Sequence, residues 1–149
     1  MALQVVPTPG KWRTIASASF PGASSVTISS VEASRIAILI QGVSASAGSS
    51  TLALQFNGDT ASNYYRFADT GASTSLVIAQ IGTAGSAYFS SYIVELADTT
   101  APVKPLLNGG ANGSGDSGGM WRNTAKITSI TLRNTAGNFD AGTYTILGI

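Results

Sequence analysis

Hydrophobic and polar positions alternate along much of the chain with a period of two residues. In residues 52–57 the apolar Leu52, Leu54 and Phe56 alternate with smaller or polar side chains, and residues 88–96 alternate in the same way. This period predicts strands that have one face in a core. Residues 35–43 are apolar at both parities, which predicts a strand in the middle of a sheet.

The same criteria predict further strands, at residues 12–19, 26–29, 64–68, 76–80, 126–133 and 143–149. Between the predicted strands lie segments of turn-forming residues, at 21–24, 44–50, 69–74, 81–86 and 108–119. A single candidate helical turn spans residues 30–37. Short strands at regular spacing, about eight or nine in all, predict an all-β fold, a single antiparallel β-sandwich of jelly-roll type.

The predicted sandwich occupies residues 12–149. Residues 1–11 contain Pro7, Pro9 and Gly10 and predict an extended N-terminal arm that docks on another surface. They have no basic segment followed by an apolar stretch, and the longest purely apolar run in the chain is residues 36–40. We therefore expect a soluble mature protein.

Charge is scarce in this sequence. Charged residues make up 10% of the 149 residues, and the net charge is +1, whereas about a quarter of an ordinary globular protein is charged. The basic residues are scattered and form no run that would follow a phosphate backbone or an anionic membrane, so we expect neither nucleic acid nor membrane as a partner. Copies with so few charges repel one another weakly, which favours self-association.

The inventory of reactive side chains is small. The chain contains no histidine and no cysteine, so zinc sites built on these residues, haem and iron-sulfur ligation, and thiol chemistry are not expected. The string GDSGG at 115–119 matches the sequence around the nucleophile of chymotrypsin-type proteases, but Ser117 has no imidazole to take its proton. We therefore predict that the protein is not an enzyme, has no catalytic residues and needs no cofactor.

The acidic residues leave two alternatives open. A glycan lyase or hydrolase would need two carboxylates that face each other, and the candidate residues for this activity are Asp59, Glu95 and Asp116. Calcium would need several oxygen ligands, for which the candidate loops are Asn57, Asp59 and Asn63, or Asn108, Asn112 and Asp116. Neither loop has a known calcium-binding spacing, and each provides one carboxylate, so we predict no metal site.

One cluster of residues has the composition of an interface. Tyr64, Tyr65, Arg66, Trp121 and Arg122 are of the types enriched at protein interfaces and at sugar-binding platforms. Alternation gives a second interpretation, in which one of the two tyrosines and Trp121 belong to the core. The Asn57-Gly58-Asp59 sequence before this cluster predicts a tight turn, because these residues tolerate positive φ.

Two stretches together resemble a known group of proteins. FNGDTASNYYR (56–66) and MWRNTAKITSITLRNTAGNFDAGTYTILGI (120–149) resemble small structural proteins of tailed bacteriophages, of the tail-fibre, minor-tail and decoration types. The matching features are an NGD…NY hairpin, a strand like ITSITL, and an F…GT sequence that leads into the last strand. Leu147-Gly148 stands where these proteins would have Tyr-Gly.

The resemblance implies a jelly-roll-like sandwich located in the virion and assembled in the bacterial cytoplasm. It implies a homo-oligomer, with a trimer favoured, whose partners are other virion proteins and in some cases a host glycan. The compact chain would be a tail-tip or fibre subunit, an adaptor or a capsid-decoration subunit. The alternative is a carbohydrate-binding module with Tyr64, Tyr65 and Trp121 as stacking platforms.

Overall fold

The computed structural model describes residues 10–67, 71–83, 88–111 and 118–149. Within these ranges the chain forms eleven β-strands and no helix. The strands are β1 (Arg13–Ser19), β2 (Ser25–Ile28), β3 (Ile36–Ala45), β4 (Ser50–Phe56), β5 (Tyr64–Arg66), β6 (Leu76–Ile81), β7 (Tyr88–Val94), β8 (Lys104–Ala111), β9 (Gly119–Trp121), β10 (Ile130–Asn134) and β11 (Phe139–Gly148). In the part of the chain described here, no helix is long and apolar enough to cross a membrane.

The described strands form two antiparallel sheets. One has seven strands in the order β1-β11-β3-β7-β8-β9-β5, and the other has four in the order β2-β10-β4-β6. Early strands pair with late strands in reverse order: β1 with β11, β2 with β10, β3 with β7 and β4 with β6. The predicted all-β fold with two antiparallel sheets, as in a β-sandwich, is confirmed.

A single hydrophobic core lies between the two sheets. Ile36, Ile38 and Ile40 from β3 and Leu52 and Leu54 from β4 are all 0% exposed and belong to one cluster. Because alternate side chains of a strand point to opposite faces, these residues are the inward parity of an interior strand in each sheet. Burying each such side chain contributes about 1.5–3 kcal/mol.

Each predicted strand overlaps an observed one, but two strands were missed. The sequences of β8 (KPLLNGGA) and β9 (GMW) contain proline and glycine or are very short, and propensity alone does not identify such strands. Residues 108–111 and Gly119 were therefore wrongly assigned to a loop. Their β-structure comes from pairing with β7 and with each other.

One further prediction is wrong, and two others fall on residues outside the described ranges. The candidate helical turn at 30–37 is wrong, because Ile36 and Ala37 begin β3 and the preceding residues are irregular. Residues 1–9 of the predicted arm lie outside the described residues, as do Ser117 and most of the GDSGG string.

Gly142 allows a close approach between β11 and β3. The pairing of these strands is irregular between Ala141 and Thr143, and Gly142 has a φ of +102°. A Cβ atom at this position would lie 2.6 Å from both the Cα and the N of Val43. Both the backbone conformation and the lack of space therefore require glycine.

We predict that Gly142→Ala lowers the free energy of unfolding by about 1–3 kcal/mol, because alanine is strained at this φ and meets the backbone of β3. Gly48→Ala is the control, since a Cβ there meets nothing within 4 Å and the φ is not positive. Urea denaturation of both variants measures the difference. Equal stability of the two variants would contradict this account.

Candidate functional site

The turn after β4 has the predicted backbone conformation. Asn57 and Gly58 have φ values of +55° and +65°, and the Asp59 N–H donates to the Phe56 carbonyl at 2.9 Å. Two consecutive positive φ values are typical of a type I′ turn. The expected hairpin is wrong, however, because β4 and β5 lie in different sheets and β5 pairs with β9.

The side chain of Asn57 ties this turn to the segment before β10. Its Oδ1 accepts hydrogen bonds from the backbone N–H groups of Thr128 at 2.8 Å and Ser129 at 3.1 Å, and its Nδ2 donates to the Lys126 carbonyl at 2.6 Å. Both ends of the amide are therefore satisfied by backbone groups. Asn57 therefore has two roles: its backbone forms the predicted turn, and its side chain connects this turn to the segment before β10, which is distant in sequence.

Asp59 accepts hydrogen bonds at both carboxylate oxygens. Oδ2 accepts from Trp121 Nε1 at 2.7 Å, Asn63 Nδ2 at 2.9 Å and Asn123 Nδ2 at 3.3 Å, and Oδ1 accepts from the Ala61 N–H at 2.9 Å. Partial burial by itself would raise the pKa of Asp59, but these donors outweigh it and hold the pKa below its ordinary value. Asp59 is therefore a fixed, ionised acceptor at neutral pH.

Tyr64 and Trp121 belong to the core. Both are 0% exposed, and their rings stack with centroids 6.4 Å apart, beside Phe56. The Tyr64 hydroxyl accepts from the Phe56 N–H at 2.9 Å and donates to the Asp59 carbonyl at 3.1 Å, and burial raises its pKa. Neither ring is therefore exposed as a glycan platform or interface residue, and both agree with the second interpretation, in which strand parity places them in the core.

Lys104 completes this buried group, and sequence reasoning missed it. It is 0% exposed, lies opposite Trp121 in the β8–β9 ladder, and its Nζ is 5.4 Å from the centre of the Trp121 ring. Nζ donates to the carbonyls of Ala101 at 2.9 Å and Asn123 at 2.7 Å, and burial lowers its pKa. A lysine between valine and proline carries no sequence signal that it will be buried.

The remaining predicted residues lie nearer the surface. The Arg122 guanidinium lies 4.1 Å from the centre of the partly buried Tyr65 ring, while Arg66 is partly buried on the same side of β5 as Tyr64. Phe67, which follows β5, is 57% exposed and was not predicted as a candidate. The predicted cluster is thus divided: Tyr64 and Trp121 face the core, and Tyr65 and Arg122 face outward.

The carboxylates named for catalysis have structural partners where they are described. Glu95 forms a bidentate ion pair with Arg35, with an Nη2–Oε1 distance of 2.6 Å and Nε 2.9 Å from both oxygens. Asp59 is held by its four donors, and Asp116 lies outside the described residues. This arrangement gives no support to the hydrolase alternative.

The first calcium loop is not arranged for a cation. The oxygens of Asn57 and Asp59 already accept hydrogen bonds from N–H donors, whose positive ends would repel a metal ion. In the described ranges no three acidic residues come together as metal ligands would. In the second loop Asn112 and Asp116 lie outside the described residues.

A cleft of about 620 Å³ opens at one end of the sandwich. Its lining includes the buried Val31 and Ile127, and its charged lining residues are Arg13, Lys126, Glu32 and Asp98. With two basic and two acidic side chains, the charge of the cleft favours neither an anionic nor a cationic ligand.

The outer side of the seven-stranded sheet carries a row of apolar residues. Leu147, Ala37, Ile93 and Leu107 lie opposite one another in register on β11, β3, β7 and β8. The residues next to these four in sequence lie in the core and are at most 1% exposed: Ile146, Ile36, Ile38, Tyr92, Val94 and Leu106. By alternation, the side chains of the four residues in the row therefore point outward.

This surface continues onto the strands that extend the sheet. Pro105, Met120 and Tyr65 form a second row across β8, β9 and β5, and Leu39 lies beside Ala37 on the outer side of β3. We define the outer apolar face as the following residues: Ala37, Leu39, Tyr65, Ile93, Pro105, Leu107, Met120 and Leu147. Leu107 is 46% exposed, and the others are partly exposed except Ala37, which is 5% exposed.

The other sheet presents a different outer surface. Threonine hydroxyls pair across its strands, with Thr27 Oγ1 2.9 Å from Thr131 Oγ1, and Thr51 Oγ1 2.6 Å from the Oγ1 of Thr135 just beyond β10. Gln80 is exposed on the same side. The outer surface of the four-stranded sheet is therefore polar, whereas that of the seven-stranded sheet combines the outer apolar face with a hydroxyl pair at its β1 edge, where Ser17 Oγ lies 2.9 Å from Thr145 Oγ1.

Comparisons with known proteins do not assign this chain to a family. No protein-family model matches the chain, and no curated protein is significantly similar to it in sequence.

We predict that Asp59→Asn lowers the free energy of unfolding at neutral pH by about 2–3 kcal/mol, because an amide group presents an N–H where the carboxylate accepted hydrogen bonds. The folded-state pKa of Asp59 lies below its ordinary value of 3.8, so this stabilisation is complete above that pH and is lost as the pH falls through the folded pKa. The variant should lack this part of the acid destabilisation.

Urea denaturation between about pH 7 and about pH 2 measures both effects. Asp98→Asn, which changes an exposed carboxyl group in the same way, is the control. Identical pH dependence in the wild type and in Asp59→Asn would contradict the role given to Asp59.

Proposed function

We propose that this protein is a non-enzymatic structural subunit of a bacteriophage virion, which acts by burying its surface against neighbouring proteins. The observation that carries the proposal is the outer apolar face, whose eight residues lie on six neighbouring strands, from β11 to β5. An apolar surface that extends over so much of a sheet favours a protein partner over water. The resemblance to tailed-phage structural proteins supplies the virion as the setting.

The order of the strands supports the proposal through the fold. We infer a jelly-roll winding, because β1 to β4 pair in reverse order with β11, β10, β7 and β6, and successive pairs lie in alternate sheets. Folding a long antiparallel ribbon twice over a core produces this order. Jelly rolls are used by viral capsid proteins and also by lectins, so the fold agrees with the leading function and with its alternative.

The reactive side chains support a non-enzymatic role. Asp59, Tyr64 and Lys104 have the perturbed pKa values that are common at catalytic sites. Each of them, however, is hydrogen-bonded to groups that hold strands and turns together. Perturbed values of this kind also occur in structural networks, which is the interpretation we propose here.

The carbohydrate-binding alternative is weaker than the sequence suggested. Two of its three platforms, Tyr64 and Trp121, are fully buried, and the third, Tyr65, lies beneath Arg122. A host glycan would have to bind the surface around Tyr65 and the exposed Phe67. We therefore keep glycan contact as a secondary role of a virion subunit.

We predict that mass spectrometry of purified particles of the phage that encodes this chain detects it at a fixed copy number per particle. A non-structural protein of the same phage, expressed at a comparable level, is the control for contamination and should be absent. If the chain is expressed during infection but does not occur in the particles, the virion proposal is wrong.

A further inference from the structure

We infer that the outer apolar face is the surface through which this chain associates with a second copy of itself, sheet against sheet. The inference rests on the proposed role as an assembly subunit and adds the partner and the contact surface. It concerns the outer side of β11, β3, β7, β8, β9 and β5.

The size of the face suits a specific interface. Four strands of about six residues at about 3.3 Å each, namely β11, β3, β7 and β8, and the three-residue strands β9 and β5 give a footprint of about 480 Å² at a strand spacing of about 4.8 Å. Two copies would then bury about 1,000 Å² in total, which is the lower limit for a specific protein–protein interface.

The charged residues around the outer apolar face allow the same face of a second copy to approach it. Arg35 and Glu95, at one end of β3 and β7, neutralise each other in a bidentate pair. At the opposite edge, the Arg122 guanidinium covers the ring of Tyr65. Two copies could therefore approach without burying an unpaired carboxylate, and the face has no charge pattern that would select a strongly charged partner.

A second copy also has the matching shape and chemistry. Two sheets pack face to face at about 10 Å when their twists agree, and identical sheets have the same twist. The opposite outer surface is covered by paired threonine hydroxyls and does not offer an apolar partner. The outer apolar face is therefore chemically complementary to the same face of another copy, in an isologous contact, which makes a dimer where the resemblance implies a trimer.

The first experiment measures the molar mass of the full chain by size-exclusion chromatography with light scattering, over a wide range of concentration. We expect a reversible oligomer for the wild type. Leu107→Glu should raise its dissociation constant at least about tenfold, because each copy would bury an unpaired carboxylate. Gln80→Glu introduces the same residue on the exposed side of the other sheet and should leave the oligomer unchanged.

The second experiment uses the absence of cysteine from the sequence. Leu107→Cys and Gln80→Cys each introduce a single thiol, whose labelling rate is measured at low and high protein concentration. We expect labelling at position 107 to slow several-fold as the oligomer forms, while labelling at position 80 stays constant. Circular dichroism and thermal unfolding verify that each variant is folded.

The outcomes separate this inference from the virion proposal. A monomer at all concentrations overturns the inference, and so does an oligomer that Leu107→Glu leaves intact. Protection of the thiol in Leu107→Cys at every concentration also overturns it, because another part of the same chain would then cover the face. Each of these results is compatible with detection of the chain in phage particles, where a different protein would be the partner.

Discussion

The central strands of the seven-stranded sheet are apolar on both sides, and only one side can face the core. On β3 the inward parity supplies Ile36, Ile38 and Ile40, while the outward parity supplies Ala37 and Leu39. A second sheet covers the inward side and leaves the outward side bare in the described part of the chain. This imbalance between the two sides of one sheet underlies the proposed function, because apolar surface that one subunit cannot bury can be buried between subunits.

Strands β8, β9 and β5, at one edge of that sheet, depend on hydrogen bonds made by buried polar side chains. Lys104, Trp121 and Tyr64 lie opposite one another on β8, β9 and β5 and face the core. Buried polar groups are costly unless they are hydrogen-bonded. Here the lysine donates to two backbone carbonyls, and the indole donates to Asp59. These partners belong to loops, so satisfying the buried groups also fixes the loops that connect the sheets.

This network explains why residue types that are typical of binding sites have a structural role here. A tryptophan and a tyrosine beside an aspartate could form a sugar platform on a surface, but in this fold their rings fill the space between β4 and β9. The residues left outside, Tyr65, Arg122 and Phe67, lie at the far edge of the outer apolar face or beside it. The same strands therefore hold the core on one side and extend the proposed contact surface on the other.

The amino-acid sequence by itself determined the features that depend on local chemistry. The alternation in residues 52–57 identified β4 and its inward side, and Asn57-Gly58 identified a turn, because strand parity and positive φ depend on a few neighbouring residues. Tertiary structure alone decided that β8 and β9 are strands, that Lys104 is buried and that β5 pairs with β9. These features arise from hydrogen bonds and packing between segments far apart in the chain, and no local pattern encodes which distant segment will supply the partner.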